Sequence, residues 1–353
     1  MVRRPKGLGR EGSEPVMEAL ALSVVEQCPL CQKSTHSSRP FAAANGWQYV
    51  KCGGCSLVFL NPRPTLETLS AYYNEVYDYD ANTYRDSVEE QKGWLLGLIE
   101  RFWPARAGRL LEIGCSYGFF LDAARREGWE VEGIELSDRA ASFARKELGL
   151  PVAGGTVSDL SERQPVPFDA IVAWHVIEHV TDPRKFLEEI AGLVRPGGIV
   201  ALRTPNVDSV VAKLAGRAWE WLSPPDHICL FSAQTLSCLL RACGFEILHL
   251  ETKRGNASSI WFETLRSRCV LTMLAKPSRE GAVTGTRTRR FANRPWYRAA
   301  RWLVEAGSEP LDLFVSPWLA RLGREAELVV VAKKSIQQRH EEYVQLSGTA
   351  LEG

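Results

Sequence analysis

Between residues 109 and 206, short apolar runs alternate with amphipathic stretches of helical period. RLLEIG (109–114), EVEGIELS (130–137), the middle of PFDAIVAWHVIEHV (167–180) and IVALRTPN (199–206) are apolar and too short for buried helices, so they predict strands. FFLDAARREG (119–128), DRAASFARKELG (138–149) and DPRKFLEEIAGLVRPGG (182–198) return an apolar residue every three or four positions and predict helices. The last has Asp182 as its cap, Pro183 in its first turn and Gly197-Gly198 as its stop. Strands separated by such helices imply a parallel sheet with right-handed crossovers, which binds ligands beyond the carboxyl ends of its strands. That edge collects Gly114 to Gly118, Glu135, Trp174 to His179 and Thr204 to Asn206.

Upstream the pattern differs. Trp47, Tyr49 and Val50, then Leu57, Val58 and Phe59, alternate as a short hairpin does. Asn61-Pro62-Arg63-Pro64 closes it, and 65–103 reads as helices striped with Tyr72, Tyr73, Tyr77, Tyr79 and Tyr84, a linker or lid whose aromatic stripe is read as packing.

Composition narrows the choice of class. A chain of 353 residues with 45% hydrophobic content can bury the core of one large domain or two unequal ones. Its 43 basic residues against 42 acidic ones do not suit a nucleic-acid coat. No apolar run is long enough for a transmembrane helix, and MVRRPKGLGREGSEP leads into too short an apolar stretch for a signal peptide; residues 1–26 are read as a flexible leader and the expected location is the cytoplasm. Charge is uneven only in residues 254–325, where thirteen Arg and Lys face six Asp and Glu around Trp261, Trp296, Trp302 and Trp318. That segment is expected to be a structured insertion, suited to an anionic membrane surface or lipid-linked phosphate at the inner face of the membrane, to RNA, or to no more than a helical cap with solvated arginines. Residues 336–353 read as a polar tail.

Four of the nine cysteines form two knuckles, CPLC and CGGC. Cys28, Cys31, Cys52 and Cys55 therefore predict tetrahedral zinc in a ribbon spanning 27–61, with disulfides disfavoured in a reducing compartment. Four thiolates leave no open coordination position, so the metal is expected to be structural and to supply folding energy to a unit too small to fold on apolar burial. Cys115, Cys229, Cys238, Cys243 and Cys269 read as buried small apolar residues.

The chemistry concentrates on Gly114-Cys115-Ser116-Tyr117-Gly118. Its G-x-x-x-G spacing has Ser116 where a dinucleotide loop has its middle glycine, so a pyrophosphate is poorly served. Glu135, closing the next strand, can accept hydrogen bonds from both hydroxyls of a ribose, and Glu112 can receive an ammonium group. An adenosine carrying an amino acid fits best.

LLEIGCSYGFFL, GIELS, FDAIVAWHVIEHV and LVRPGGIVALRTPN, in this order, resemble the successive motifs of class I S-adenosylmethionine-dependent methyltransferases. With the ribbon and PPDHICLFSAQTL (224–236), the chain resembles the branch that carries a zinc ribbon ahead of its catalytic domain. The resemblance implies an α/β fold, a Rossmann-like seven-stranded mixed sheet with helices on both faces and a core at 108–253 after a helical linker at 62–107. FEILHLETK (245–253) and AELVVVAKK (326–334) would be its final antiparallel pair. It also implies that Glu112, Gly114 and Gly118 line the methionine part of the cofactor, Glu135 the ribose and Thr156 the adenine, with Cys115 and Leu136 also at the cofactor and Trp174 and His175 close to the sulfonium.

Three histidines are the catalytic candidates: His175, His179 and His227. His175-x-x-Glu178-His179 resembles the metal-binding pattern of small-RNA 2′-O-methyltransferases and some quinone O-methyltransferases, with His175 where a glutamate normally stands. Three roles are open: a general base, a divalent ion held by His175, Glu178, His179 and His227, or hydrogen bonds that buttress the cofactor loop. The expected reaction is O-methylation of a small-molecule, sugar, glycan or lipid-linked quinone-like acceptor. Sugar C-methylation is an alternative. RNA methylation is another, opposed by a ribbon with only Lys33, Arg39 and Lys51 between its first and last cysteine. A non-catalytic scaffold is opposed by the intact glycine loop and Glu135.

Overall fold

The computed structural model describes residues 21–44, 46–75, 81–103, 105, 108–163, 166–253, 319 and 321–335. Most of the leader, Tyr77, Tyr79, Cys269, nearly all of the basic insertion and the tail lie outside the described residues.

The chain enters through β1 (Leu22–Ser23), the ribbon strands β2 (Arg39–Ala44), β3 (Trp47–Lys51) and β4 (Val58–Leu60), and β5 (Arg63–Pro64), which pairs back onto β1. Residues 22–25 are thus already structured, although the sequence assigns them to the leader: Val25 is buried and its amide donates to Asn61 Oδ1 at 3.0 Å. Two helices follow, α1 (Leu66–Glu75) and α2 (Ala81–Phe102). Val88, Leu95, Leu96 and Ile99 of α2 are buried in one cluster with Phe119, Phe120 and Leu121 of the next helix.

The main sheet is built from β6 (Arg109–Ile113), β7 (Glu130–Glu135), β8 (Val152–Gly154), β9 (Phe168–Trp174), β10 (Val194–Pro205), β12 (Phe245–Lys253) and β13 (Glu327–Lys334). Their order is β12-β13-β10-β9-β6-β7-β8, and β13 alone runs antiparallel to both neighbours. Its central strands are apolar throughout because helices cover both faces: Ala170 to Ala173 and Val200 to Leu202 are all fully buried. The crossover helices are α3 (Phe119–Arg126), α4 (Asp138–Leu148), α5 (Val157–Glu162) and α6 (Pro183–Leu193), followed by α7 (Val210–Ala215) and α8 (Ala233–Ala242).

Gly197-Gly198 does not stop α6, contrary to the sequence expectation. The helix ends at Leu193, because Val194 is fully buried and already pairs with Phe168 in the sheet. The glycines form a bulge in β10, with Gly197 at φ +77° and a register shift between Val194 and Ile199.

Nor is the ribbon a free-standing unit. Its strands β2, β3 and β4 are joined by a fourth strand, β11 (Cys229–Leu230), from the catalytic domain. Leu30, Leu57 and Phe59 share a buried cluster with Ile177, Ile228 and Phe231, so apolar burial stabilises the ribbon in addition to any metal. Among the remaining cysteines, Cys115 and Cys229 are buried as expected, whereas Cys238 and Cys243 are only half-buried. No described helix is long and apolar enough to cross a membrane.

Candidate active site

The loop between β6 and α3 makes a tight bend with left-handed backbone at Gly114 (φ +68°), Ser116 (φ +49°) and Gly118 (φ +80°). Two of these positions also lack room for a side chain. A Cβ at Gly114 would lie 2.6 Å from Val176 Cγ2, and one at Gly118 would lie 2.7 Å from Leu150 Cδ1. Ser116 holds its conformation with help from Glu135, whose Oε2 accepts the Ser116 amide at 2.8 Å while Oε1 accepts that of Ser137 at 2.8 Å. Burial raises the Glu135 carboxyl above its ordinary value, and the amides of Ser137 and Ser116 oppose that rise. Cys115 turns its side chain into the core, so it shapes the bend and leaves its lining to the backbone. Leu136 is half-buried beside Glu135.

Glu112 is nearly completely buried, and its Oε2 has no hydrogen-bond partner among the described residues. Burial, with the Glu135 charge added, pushes its carboxyl well above the ordinary range. A buried acceptor without a donor is costly, and an ammonium group would satisfy both its lone pair and its charge. The donor set therefore fits the amino-acid end of an aminoacyl-type nucleoside. At the far end Thr156 caps α5, and both its amide (2.6 Å) and its hydroxyl (2.8 Å) donate to Asp159 Oδ2, which lowers that carboxyl. What Thr156 can still offer a purine amine is its oxygen lone pair.

Past the end of β9 the acceptor side begins. Trp174 packs edge-on against Phe120, and its Nε1 is buried with no partner among the described residues. His175 follows at φ +55°, its Nδ1 3.2 Å from Glu178 Oε1 and its Nε2 3.6 Å from Glu327 Oε1. Both ring nitrogens thus face protein carboxylates, so His175 is a poor candidate for taking a substrate proton. Its ring stacks on Trp221 (5.3 Å, 4°), which stacks in turn on His227 (5.3 Å, 15°). Glu178 accepts the Thr204 hydroxyl at 2.9 Å; burial pushes its carboxyl up, yet His175 and the other histidines outweigh this and hold it at about 2.

His179 sits edge-on to His227 with ring centroids 4.7 Å apart. Its Nδ1 is 3.0 Å from Asp226 Oδ1 and 2.9 Å from the Tyr73 hydroxyl, which donates to the same Asp226 oxygen at 2.6 Å. Burial would lower the imidazole, but Asp226 and Glu178 raise it to about 9, and Asp226 is held at about 2 by His179 against its own burial. Near neutral pH this is an imidazolium–carboxylate pair, and His179 is no base. His227 differs: its Nδ1 lies 2.9 Å from the Trp221 carbonyl and donates a proton to it.

Residues 88–250 match the methyltransferase-domain family. The chain is 30% identical over 188 residues to a ubiquinone biosynthesis O-methyltransferase of Xylella fastidiosa, covering 50% of this chain and 74% of that protein. The chain belongs to the S-adenosylmethionine-dependent methyltransferases. It is also 34% identical over 129 residues to the ubiquinone biosynthesis O-methyltransferase of Paracidovorax citrulli, where the match covers 35% of this chain and about half, 52%, of that protein. Among solved structures it is similar to a SAM-dependent methyltransferase from Archaeoglobus fulgidus, with a TM-score of 0.44, 18% identity, and coverage of 73% of this chain and all of that one.

In this methyltransferase, four cysteines and a histidine–carboxylate group are the two sets of described residues whose ligand atoms converge. Cys28, Cys31, Cys52 and Cys55 place their sulfurs within 4.8 Å of one another. The two knuckles are built alike: the first cysteine of each donates its amide to the carbonyl five residues on and accepts the amide four residues on, around left-handed Gln32 (φ +57°) and Ser56 (φ +67°). Gly54 N adds a hydrogen bond to Cys52 Sγ at 3.3 Å. A Cys55 hydrogen bond pulls the Cys28 thiol down to about 5 and pushes Cys55 up, while burial pushes Cys31 up to about 11. The second set is Glu178, His179 and His227, also within 4.8 Å. His175, expected among those ligands, is turned to Glu178 and Glu327.

The sequence reading missed Tyr73, Asp226, Trp221 and Glu327. Asp226 adjoins His227 within the quoted PPDHICLFSAQTL, so a signal existed. Tyr73 was hidden in a stripe of tyrosines, Glu327 lies in AELVVVAKK, which reads only as a strand, and Trp221 lies in a segment without a motif.

Proposed function

We propose that this enzyme methylates a hydroxyl oxygen of a small lipid-linked quinone-like acceptor, with His227 receiving the proton. The printed activity of the relatives supports the acceptor class. A quinone itself has no O–H, so the acceptor is its phenolic, reduced form. The observation that carries the base assignment is the 2.9 Å contact between His227 Nδ1 and the Trp221 carbonyl: it keeps a proton on Nδ1, so that the neutral form of the ring has its lone pair on Nε2.

S-adenosylmethionine supplies an electrophilic methyl on its sulfonium when bound. Glu112 and the glycine bend hold its amino-acid end, Glu135 and Leu136 the ribose, and Thr156 the purine. Trp174 closes the wall beside the sulfonium, and His175, fixed by Glu178 and Glu327, positions Trp221. His227 Nε2 takes the phenolic proton as the oxygen approaches the methyl, and the nearby Glu178 and Asp226 carboxylates favour the imidazolium that forms. The second N–H of the His179 imidazolium, held by Asp226, offers a donor that orients the acceptor oxygen. Zinc on the four ribbon cysteines is structural in this reading.

A divalent ion at Glu178, His179 and His227 is the second reading, favoured by their convergence. It requires His179 to surrender a proton that Asp226 holds. Labelled S-adenosylmethionine with polyprenylated hydroquinone, nucleotide sugars and RNA separates these readings. We expect a methyl ether on the hydroquinone, retained after chelator treatment that leaves the ribbon zinc in place. Transfer to carbon, to RNA, or only with an added divalent ion overturns the proposal.

A further inference from the structure

The ribbon strand β3 turns alternate residues inward, and Tyr49 on it is fully buried. Its hydroxyl crosses into the catalytic domain and donates to the main-chain carbonyl of His227 at 2.7 Å. The next carbonyl, that of Ile228, accepts the amide of Leu60 from β4 at 2.9 Å, and Cys229 and Leu230 then pair with Phe59 and Val58. From the opposite side, the amides of Ile228 and Cys229 both donate to the carbonyl of Glu178, at 2.7 and 3.0 Å. The segment carrying Asp226 and His227 is therefore gripped between the ribbon and the loop after β9.

We infer that Tyr49 is a positioning residue for methyl transfer: its hydroxyl fixes the backbone of His227 and so aims the imidazole at the acceptor. The ribbon in consequence forms one wall of the catalytic apparatus. The inference rests on the role proposed for His227, but its first readout does not. A fully buried side chain does not need a polar tip for packing, since phenylalanine fills the same space. The hydroxyl supplies a donor to that carbonyl.

Tyr49→Phe removes one oxygen and keeps the ring, and bound zinc with an unchanged circular dichroism spectrum verifies the fold. Three measurements follow: hydrogen exchange of the peptide over residues 223–231, the affinity for S-adenosylhomocysteine by calorimetry, and kcat and KM with a polyprenylated hydroquinone. We expect exchange in 223–231 to rise about tenfold, with the 110–121 loop unchanged. Affinity should stay within about twofold, and kcat should fall about tenfold at nearly constant KM. Unchanged exchange in 223–231 overturns the inference whatever the activity. Faster exchange with undiminished kcat also overturns it, and His227→Ala as a parallel control then locates the fault: if that variant too keeps full kcat, the role of His227 has failed. Equal loosening of 223–231 and 110–121 makes Tyr49 a general core residue and likewise rejects it.

Discussion

His179 and His227 meet edge to face with ring centroids 4.7 Å apart, yet their Nδ1 atoms face different partners, a carboxylate and a main-chain carbonyl. Asp226 favours the first as a cation, and the Trp221 carbonyl accepts the Nδ1 proton of the second. In the proposed mechanism that difference divides two rings of one chemistry between an orienting charge and a proton acceptor.

Replacing His227 with alanine should lower turnover by roughly two to three orders of magnitude, within the usual contribution of a general base. Affinity for S-adenosylhomocysteine should change little, because Glu112, Gly114 and Glu135 lie on the other strands. Steady-state kinetics with calorimetry checks this, and undiminished turnover removes His227 from the mechanism.

The His179–Asp226 pair predicts a pH-dependent stability. His179 is raised to about 9, so its contribution is complete below the unfolded value near 6.5 and is lost as pH climbs through about 9. Asp226 is depressed to about 2, so its contribution is present above the unfolded value near 3.9 and disappears as pH falls to about 2. Thermal melts of the wild type should decline between pH 6.5 and 9 by a component that Asp226→Asn lacks; parallel curves for the two proteins would reject the pair.

Glu112 predicts proton release. Its carboxyl is raised well above the ordinary range by burial and by Glu135, and a bound ammonium favours its ionised form. Cofactor affinity should therefore increase with pH until Glu112 is ionised in the free protein, and the apparent binding enthalpy should vary with the ionisation enthalpy of the buffer. Glu112→Gln should weaken binding about tenfold or more and abolish that dependence. A buffer-independent enthalpy in the wild type contradicts the assignment.

Gly114→Ala should nearly eliminate cofactor binding while leaving a folded protein. The new Cβ faces both a left-handed backbone and Val176 Cγ2 at 2.6 Å, a combination worth about 1–3 kcal/mol of strain that the bend relieves by moving. Calorimetric titration with S-adenosylhomocysteine measures it.

The ribbon should contain one zinc per chain, and Cys52→Ser should reduce both zinc content and melting temperature. Its shared core with Ile228 and Phe231 predicts that the domain loosens without unfolding outright. Elemental analysis without zinc would refute the metal.

Where sequence spoke clearly, a local pattern carried the information. The strands at 109–113, 130–135 and 168–174 were legible because apolar runs bounded by amphipathic helices have few other solutions, and the cofactor bend because Gly114 and Gly118 bracket it. Gly197-Gly198 misled because a glycine pair ends a helix and bulges a strand equally well; burial of Val194 decided between them, and burial is not local. The acceptor side was half legible for the same reason. Histidines announce themselves, but Tyr73 lies 106 residues from His179 and Tyr49 lies 178 from His227, and such pairings exist only after folding. The leader, the basic insertion and the tail fall almost wholly outside the described residues.

Strand β13 lies between β10 and β12, although it is the last of the three to leave the ribosome. Until residues 327–334 emerge, β12 has no neighbour to join and His175 lacks the Glu327 carboxylate. A nascent polypeptide released anywhere within the insertion would thus carry every cofactor motif and still lack the strand that joins β12 to the sheet.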